Sequence, residues 1–90
     1  MIRHADIIIQ GLVQGISFRA AAHKKAKSLG LKGYVRNLED GSVFIEAEGE
    51  DRDVKKFIIW CHVGTELSRI DKVRFEFTRD FEYFREFTVE

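Results

Sequence analysis

The 90-residue chain has no proline and a single cysteine, Cys61. One cysteine excludes an internal disulfide and a metal site built from several thiolates. No apolar run approaches the ~20 residues that a membrane-spanning helix requires. Polar or charged residues at positions 3, 4 and 6 leave the N-terminus without the apolar core of a signal peptide. These absences predict a cytoplasmic protein without membrane contact.

The chain also lacks net charge, because 15 Lys and Arg residues balance 15 Asp and Glu residues. Proteins dedicated to nucleic acids usually carry a basic excess, so the balance argues against such a partner, although it permits a small local positive site. Hydrophobic residues make up 44% of the chain and charged residues 33%. This composition predicts one globular domain over residues 1–90.

Hydrophobic spacing and turn residues predict an alternation of strands and helices. In chain order we expect a strand at 6–10, a helix at 18–29, strands at 32–37 and 43–48, a helix from about 50 to 63, a strand at 70–77 and a last short strand at 84–89. This split βαβ order is typical of the α+β ferredoxin-like sandwich, an antiparallel sheet with two helices on one face. The other face is then partly solvated, and Glu46 and Glu48 are expected to point into solvent.

The stretch from Gly11 to Arg19 is the strongest candidate for a binding site. It lies between the apolar run Ile7–Ile9 and the first predicted helix, so it forms a strand-to-helix turn with two glycines. Such a turn can direct several backbone N–H groups at one point, and the helix N-terminus adds partial positive charge. Arg19 would then lie near the positive end of the helix dipole, which favours an anion between them. The alternative is a surface arginine that reaches water.

Three other polar residues near this turn have two interpretations each. Asn37 ends a strand just before the Asp-Gly turn, where it either forms the turn or does chemistry. Ser17 either caps the first helix or places its hydroxyl on a bound anion. Gln14 is more readily explained as support for the turn than as a catalytic group.

The remaining candidates have structural explanations. The histidines His4, His23 and His62 are scattered without metal-ligand spacing, so no metal site is expected. Cys61 lies on the apolar face of the second helix and is predicted to be a core residue. Trp60, Phe81 and Tyr83 could stack on a ligand, but partial core packing is the better prediction.

Two ordered motifs give the chain a resemblance to a known family. They are the run Gly11-Leu-Val-Gln-Gly-Ile-Ser-Phe-Arg19 and the run Leu29-Gly-Leu-Lys-Gly-Tyr-Val-Arg-Asn37, the second followed by Asp40-Gly-Ser-Val43. In sequence and separation they resemble the acylphosphatase family, from about Ile7 to Val89. The resemblance implies a ferredoxin-like sandwich with sheet order 4-1-3-2. It also implies hydrolysis of the carboxyl-phosphate bond of acyl phosphates to a carboxylate and inorganic phosphate, without metal or cofactor, by a monomer.

The resemblance also implies residue roles. The catalytic residues would be Arg19, which binds phosphate, and Asn37, which orients water. The phosphate-binding loop would comprise Gln14, Gly15, Ile16, Ser17, Phe18 and Arg19. Three positions depart from the family pattern: Ile16 replaces the usual valine, Ser17 replaces a bulkier residue, and Thr65 replaces proline.

Two alternative hypotheses assign the chain to other functional classes. One is a non-catalytic ferredoxin-like module that binds an anion or RNA, against which the charge balance and the acidic residues Glu46 and Glu48 argue. The other is an acylphosphatase-like domain of a larger protein, with a regulatory role or a role in handling carbamoyl phosphate. The absence of a linker at either end argues mildly against it.

Overall fold

A computed structural model describes residues 1–90 as two helices on a five-stranded sheet. The elements are β1 (Ile2–Leu12), α1 (Phe18–Ser28), β2 (Lys32–Asn37), β3 (Val43–Glu50), α2 (Asp51–Val63), β4 (Arg69–Thr78) and β5 (Phe87–Val89). The strands lie in the order β4-β1-β3-β2-β5. This arrangement confirms the predicted ferredoxin-like sandwich and the 4-1-3-2 order of its first four strands.

The sheet is mixed, and the prediction of a wholly antiparallel sheet is wrong for one pair of strands. Strand β1 pairs antiparallel with β3 and β4, and β2 pairs antiparallel with β3, but β5 runs parallel to β2. The reason is the connection at 79–86. This connection runs from β4, at one edge of the sheet, to the opposite edge beside β2. It does not return along the length of the strands, so β5 starts at the same strand end of the sheet at which β4 stops.

One sheet face and the two helices share a continuous apolar core. Alternate residues of β1 (Ala5, Ile7 and Ile9) are fully buried, and Ile7 lies in register with Ile45 of β3. The helices contribute Phe18, Ala22 and Ala26 from α1 and Val54, Phe57, Ile58 and Cys61 from α2, and the burial of Cys61 confirms its prediction as a core residue. Neither helix has the length and apolarity that crossing a bilayer demands.

The opposite face is partly covered, and here the prediction for Glu48 is wrong. This residue is only 5% exposed, because the 79–86 segment crosses above it. Its carboxylate accepts hydrogen bonds from the backbone N–H groups of Glu82 and Phe84, at 2.6 and 3.3 Å. The prediction for Tyr83 is also wrong, since its side chain is 80% exposed and its ring stacks on Phe81. The segment is therefore held by a buried carboxylate.

The close approach of β2 to β3 at Gly33 generates a stability prediction. A Cβ atom at Gly33 would lie 1.8 Å from the carbonyl oxygen of Glu46, and φ is +144°. We expect Gly33→Ala to lower the free energy of unfolding by at least ~3 kcal/mol, because the two strands would have to separate. Urea denaturation followed by circular dichroism measures this loss.

Gly30 provides the matched control. Its φ is +71°, but a Cβ there would meet no atom within 4 Å. Gly30→Ala should therefore cost only the ~1–2 kcal/mol of a left-handed alanine. Equal losses in the two variants would show that backbone conformation, not strand contact, explains the glycine at position 33.

Candidate active site

The turn between β1 and α1 has an unusual backbone. Gly15 has φ of +74°, and Ser17 has φ of +62° and ψ of +23°, although Ser17 is not glycine. A left-handed non-glycine residue costs ~1–2 kcal/mol, and such strain is found preferentially at functional sites. Left-handed residues in a turn can direct successive N–H groups to one side, which is the backbone arrangement that binds anions.

Ser17 lies at the N-cap position of α1, but its side chain makes no capping hydrogen bond. The prediction that Ser17 caps the helix is therefore wrong. An N-cap residue normally has extended dihedral angles that bring its hydroxyl over the first turn, and the left-handed conformation of Ser17 prevents this. The first turn of α1 also contains no acidic residue. The first turn of the helix thus supplies no carboxylate to its own positive end.

Gln14 ties the turn to the β2–β3 hairpin. Its Nε2 atom donates to the carbonyl oxygens of Leu38 and Ser42, both at 2.8 Å. The side-chain amide is thereby occupied with protein acceptors, as expected for a residue that supports the turn. The hairpin is itself closed by Asp40, whose carboxylate accepts from the backbone N–H of Ser42 at 2.9 Å. The turn and the end of β2 are therefore held side by side.

Arg19 lies in the first turn of α1 and is half-buried. Its Nη1 atom donates to the backbone carbonyl of Glu90 at 2.7 Å. This contact holds the guanidinium group beside the chain that follows β5. The other guanidinium N–H groups have no protein acceptor, so they can bind an anion in the planar fork geometry that suits two phosphate oxygens.

Asn37 enters the same region from another strand. It is the last residue of β2 and pairs with Val43 of β3, so it shares the helix-facing side of the sheet with buried Val35. Its Oδ1 atom is buried and has no hydrogen-bond partner in the protein. An unsatisfied buried acceptor is costly and calls for an explanation. A site for a water molecule supplies one.

These residues line a cavity of about 330 Å³ at the N-terminus of α1, a volume suited to a small molecule. Its walls are formed by Val13, Gly15, Ser17, Phe18, Arg19, Ala20, Asn37 and Val89. Arg19 and Asn37, which are distant in sequence, thus face one space. Gln14 and Ile16 lie outside the lining, and Ile16 packs against the hydrophobic core instead. Any contact of these two with a ligand would involve their backbone.

Comparison with known proteins places this geometry in a family. The acylphosphatase family model matches residues 5–89. The chain belongs to the acylphosphatase family. It is 46% identical to the acylphosphatase of Anaeromyxobacter dehalogenans over 80% of this chain and 77% of that one. The acylphosphatase of Thermotoga maritima is 41% identical over 92% and 91% of the two chains.

A solved acylphosphatase structure agrees with this assignment. The crystal structure of the Bacillus subtilis acylphosphatase superposes with a TM-score of 0.94 and 30% identity, over 100% of this chain and 99% of that one. The fold that surrounds the cavity is thus that of an acylphosphatase throughout.

One polar cluster around His4 was not predicted from the sequence. His4 is completely buried, and its ring contacts Asp6, Glu46 and Glu48. The pattern His-x-Asp places the first two side chains on one face of a strand, which is the only local signal available. The glutamates are joined to them by the register of β1 with β3. The cluster lies at the opposite end of β1 from the phosphate-loop candidate.

The two hydrogen bonds of Gln14 can be tested directly. Gln14→Glu keeps the shape of the side chain but turns a carboxylate toward two carbonyl oxygens, whereas Gln14→Ala leaves both carbonyls without this donor. We expect Gln14→Ala to lower the free energy of unfolding by about 1–3 kcal/mol, and Gln14→Glu to lower it further at pH 7. Denaturant titrations of both variants measure the losses. A Gln14→Glu variant as stable as the parent protein would contradict the bridging role.

Proposed function

We propose that this chain hydrolyses acyl phosphates in the cavity at the N-terminus of α1, with Arg19 and the 14–19 loop binding the phosphoryl group and Asn37 orienting the attacking water. The observation that carries the proposal is the meeting of Arg19 and Asn37 in the lining of one cavity, together with the missing protein partner of the Asn37 Oδ1 atom. The substrate is a small-molecule acyl phosphate, and the products are a carboxylate and inorganic phosphate.

The phosphoryl group needs stabilisation as charge spreads over its three equatorial oxygens. The free guanidinium N–H groups of Arg19 and the backbone N–H groups of the loop are fixed before the reaction begins, so they need little rearrangement. The left-handed backbone at Gly15 and Ser17 brings the loop around the end of the helix. The dipole of α1 adds further attraction for the anion.

The attacking water is positioned by a hydrogen bond to Asn37. Its Oδ1 atom accepts a hydrogen bond from the water, which fixes the direction of the water lone pair toward phosphorus. The water oxygen then forms a bond to phosphorus as the bond between phosphorus and the acyl oxygen breaks. The electron pair of the broken bond leaves with the carboxylate, which is a stable leaving group.

No aspartate, glutamate or histidine lines the cavity. A side-chain general base is therefore absent from the residues that reach the substrate. The proton of the attacking water passes to an oxygen of the substrate's own phosphoryl group, which becomes inorganic phosphate. Because an acyl phosphate is already activated, orientation and charge stabilisation carry the catalysis.

Hydrolysis of benzoyl phosphate by the purified protein, with EDTA present, tests the proposed activity. We expect turnover with competitive inhibition by inorganic phosphate. Binding of phosphate without turnover would instead support the non-catalytic anion-binding module. Absence of both turnover and phosphate binding would refute the site altogether.

The fork geometry of Arg19 is tested by Arg19→Lys, which keeps the charge and loses the paired donors. We expect kcat/KM for benzoyl phosphate to fall at least ~100-fold. Arg36→Lys is the matched control, because Arg36 is exposed and its guanidinium lies over the Phe44 ring outside the cavity. Near-normal kinetics for Arg19→Lys, or an equal loss in the control, would remove Arg19 from the mechanism.

Asn37→Ala separates catalysis from stability. Because the Oδ1 atom is buried without a protein partner, its removal should leave the free energy of unfolding unchanged or slightly higher. We expect kcat to fall ~100-fold while inorganic phosphate still binds, since water orientation acts on turnover. Assays of benzoyl phosphate hydrolysis measure kcat, and titration with inorganic phosphate measures phosphate binding. Loss of phosphate binding would assign Asn37 to the anion instead of the water.

A further inference from the structure

A second polar site lies on the sheet face that points away from the helices. It is formed by His4 and Asp6 of β1 and Glu46 of β3. The Nε2 atom of His4 lies 3.0 Å from Asp6 Oδ1 and 3.2 Å from Glu46 Oε1. One ligating atom from each of the three residues lies within 4.8 Å of the others. His4 is fully buried, whereas the side chain of Asp6 is 37% exposed, so the group opens to solvent on one side.

The register of the sheet concentrates negative charge at this point. Asp6 pairs with Glu46 of β3 on one side and with Glu76 of β4 on the other. Three carboxylates therefore lie in one row across neighbouring strands, and like charges directly opposite each other are destabilising. No lysine or arginine forms a salt bridge with any of them, and His4 is the only basic side chain that contacts Asp6 and Glu46. His4 supplies positive charge to the row when its ring is protonated, and a bound cation would supply it when the ring is neutral.

The surroundings of His4 define which ring nitrogen faces that row. Its Nδ1–H donates to Glu48 at 2.7 Å. A carboxylate is only an acceptor, so Nδ1 must carry the proton. Nε2 then lies against two carboxylate oxygens: a protonated ring donates from it to Asp6 at 3.0 Å, whereas a neutral ring turns its lone pair toward them. When the ring is neutral, a cation between the three atoms relieves the contact of the Nε2 lone pair with the two oxygens.

The groups that form hydrogen bonds with His4 and Glu46 are also arranged as they are around the ligands of metal centres. A metal-binding histidine typically donates its second ring N–H to a carboxylate, which orients the ring, and Glu48 accepts this bond from His4. Glu46 accepts a hydrogen bond from the Tyr34 hydroxyl through its other oxygen, Oε2, which leaves Oε1 toward His4. These two hydrogen bonds fix the orientation of the His4 ring and of the Glu46 carboxylate.

We propose that His4 Nε2, Asp6 and Glu46 form a binding site for one divalent transition-metal ion of the zinc type, remote from the phosphate cavity. One imidazole and two carboxylates, with solvent completing the coordination, match the nitrogen and oxygen ligands that Zn²⁺ accepts. The ion joins β1 to β3, and through Glu48 it orders the 79–86 segment that reaches β5. Its role is structural, because the cluster lies at the other end of β1 from the cavity.

Isothermal titration of the metal-free full chain with ZnCl₂ tests the proposal. We expect one Zn²⁺ per chain and a higher melting temperature when zinc is present. Asp6→Asn should weaken binding at least ~10-fold, because it removes a ligand charge while keeping the side-chain shape. Co²⁺ in place of zinc should give visible absorption bands that this variant loses. Since the ion competes with a proton for His4, affinity should also fall as the pH is lowered.

Glu76→Gln is the matched control. It removes one negative charge from the same row, but Glu76 is outside the three-ligand group. Asp6→Asn must weaken zinc binding far more than Glu76→Gln does. Equal effects would mean that zinc is held by general negative charge, and no binding at 1 mM zinc would mean that a proton on His4 neutralises the cluster. Either result overturns the proposal.

Discussion

The pairing of β1 on both of its edges is the constraint on which the rest of the structure depends. Its side chains alternate between the core and the open face, so the register with β3 and β4 decides what each end of the strand carries. After Leu12 the chain turns into the loop beneath α1. At the other end, His4 and Asp6 meet glutamates of β3. A slip of one residue would exchange the two faces of β1, and would disrupt both the loop beneath α1 and the polar cluster at His4 and Asp6.

Much of this architecture was predictable because the relevant signals are local. The alternation of apolar residues in β1, the spacing of Phe18, Ala22 and Ala26, and the Asp-Gly turn each act within a few residues. The position of Arg19 at the start of a helix followed from the same patterns. The motif resemblance then connected Arg19 with Asn37, which no local pattern could have done.

Two features that were not predicted, buried Glu48 and the unsatisfied oxygen of Asn37, depend on residues far apart in the chain. Glu48 alternates with core residues, so its pattern indicated a solvated side chain. It is buried because the 79–86 segment crosses the sheet above it, and nothing near Glu48 in sequence reports that crossing. The unsatisfied oxygen of Asn37 is likewise visible only in three dimensions. Local sequence constrains which face a residue occupies, whereas the long connection decides whether that face meets water.

The position of β5 has a consequence for how a ligand would couple to folding. The cavity is lined by the turn after β1, the end of β2 and Val89 of β5, and Arg19 contacts Glu90, which is 71 positions away. An anion held there would bind only when all three parts are assembled. Its binding free energy would then be added to the stability of the whole domain instead of one loop. Partial unfolding at the sheet edge that β5 occupies would release the ligand.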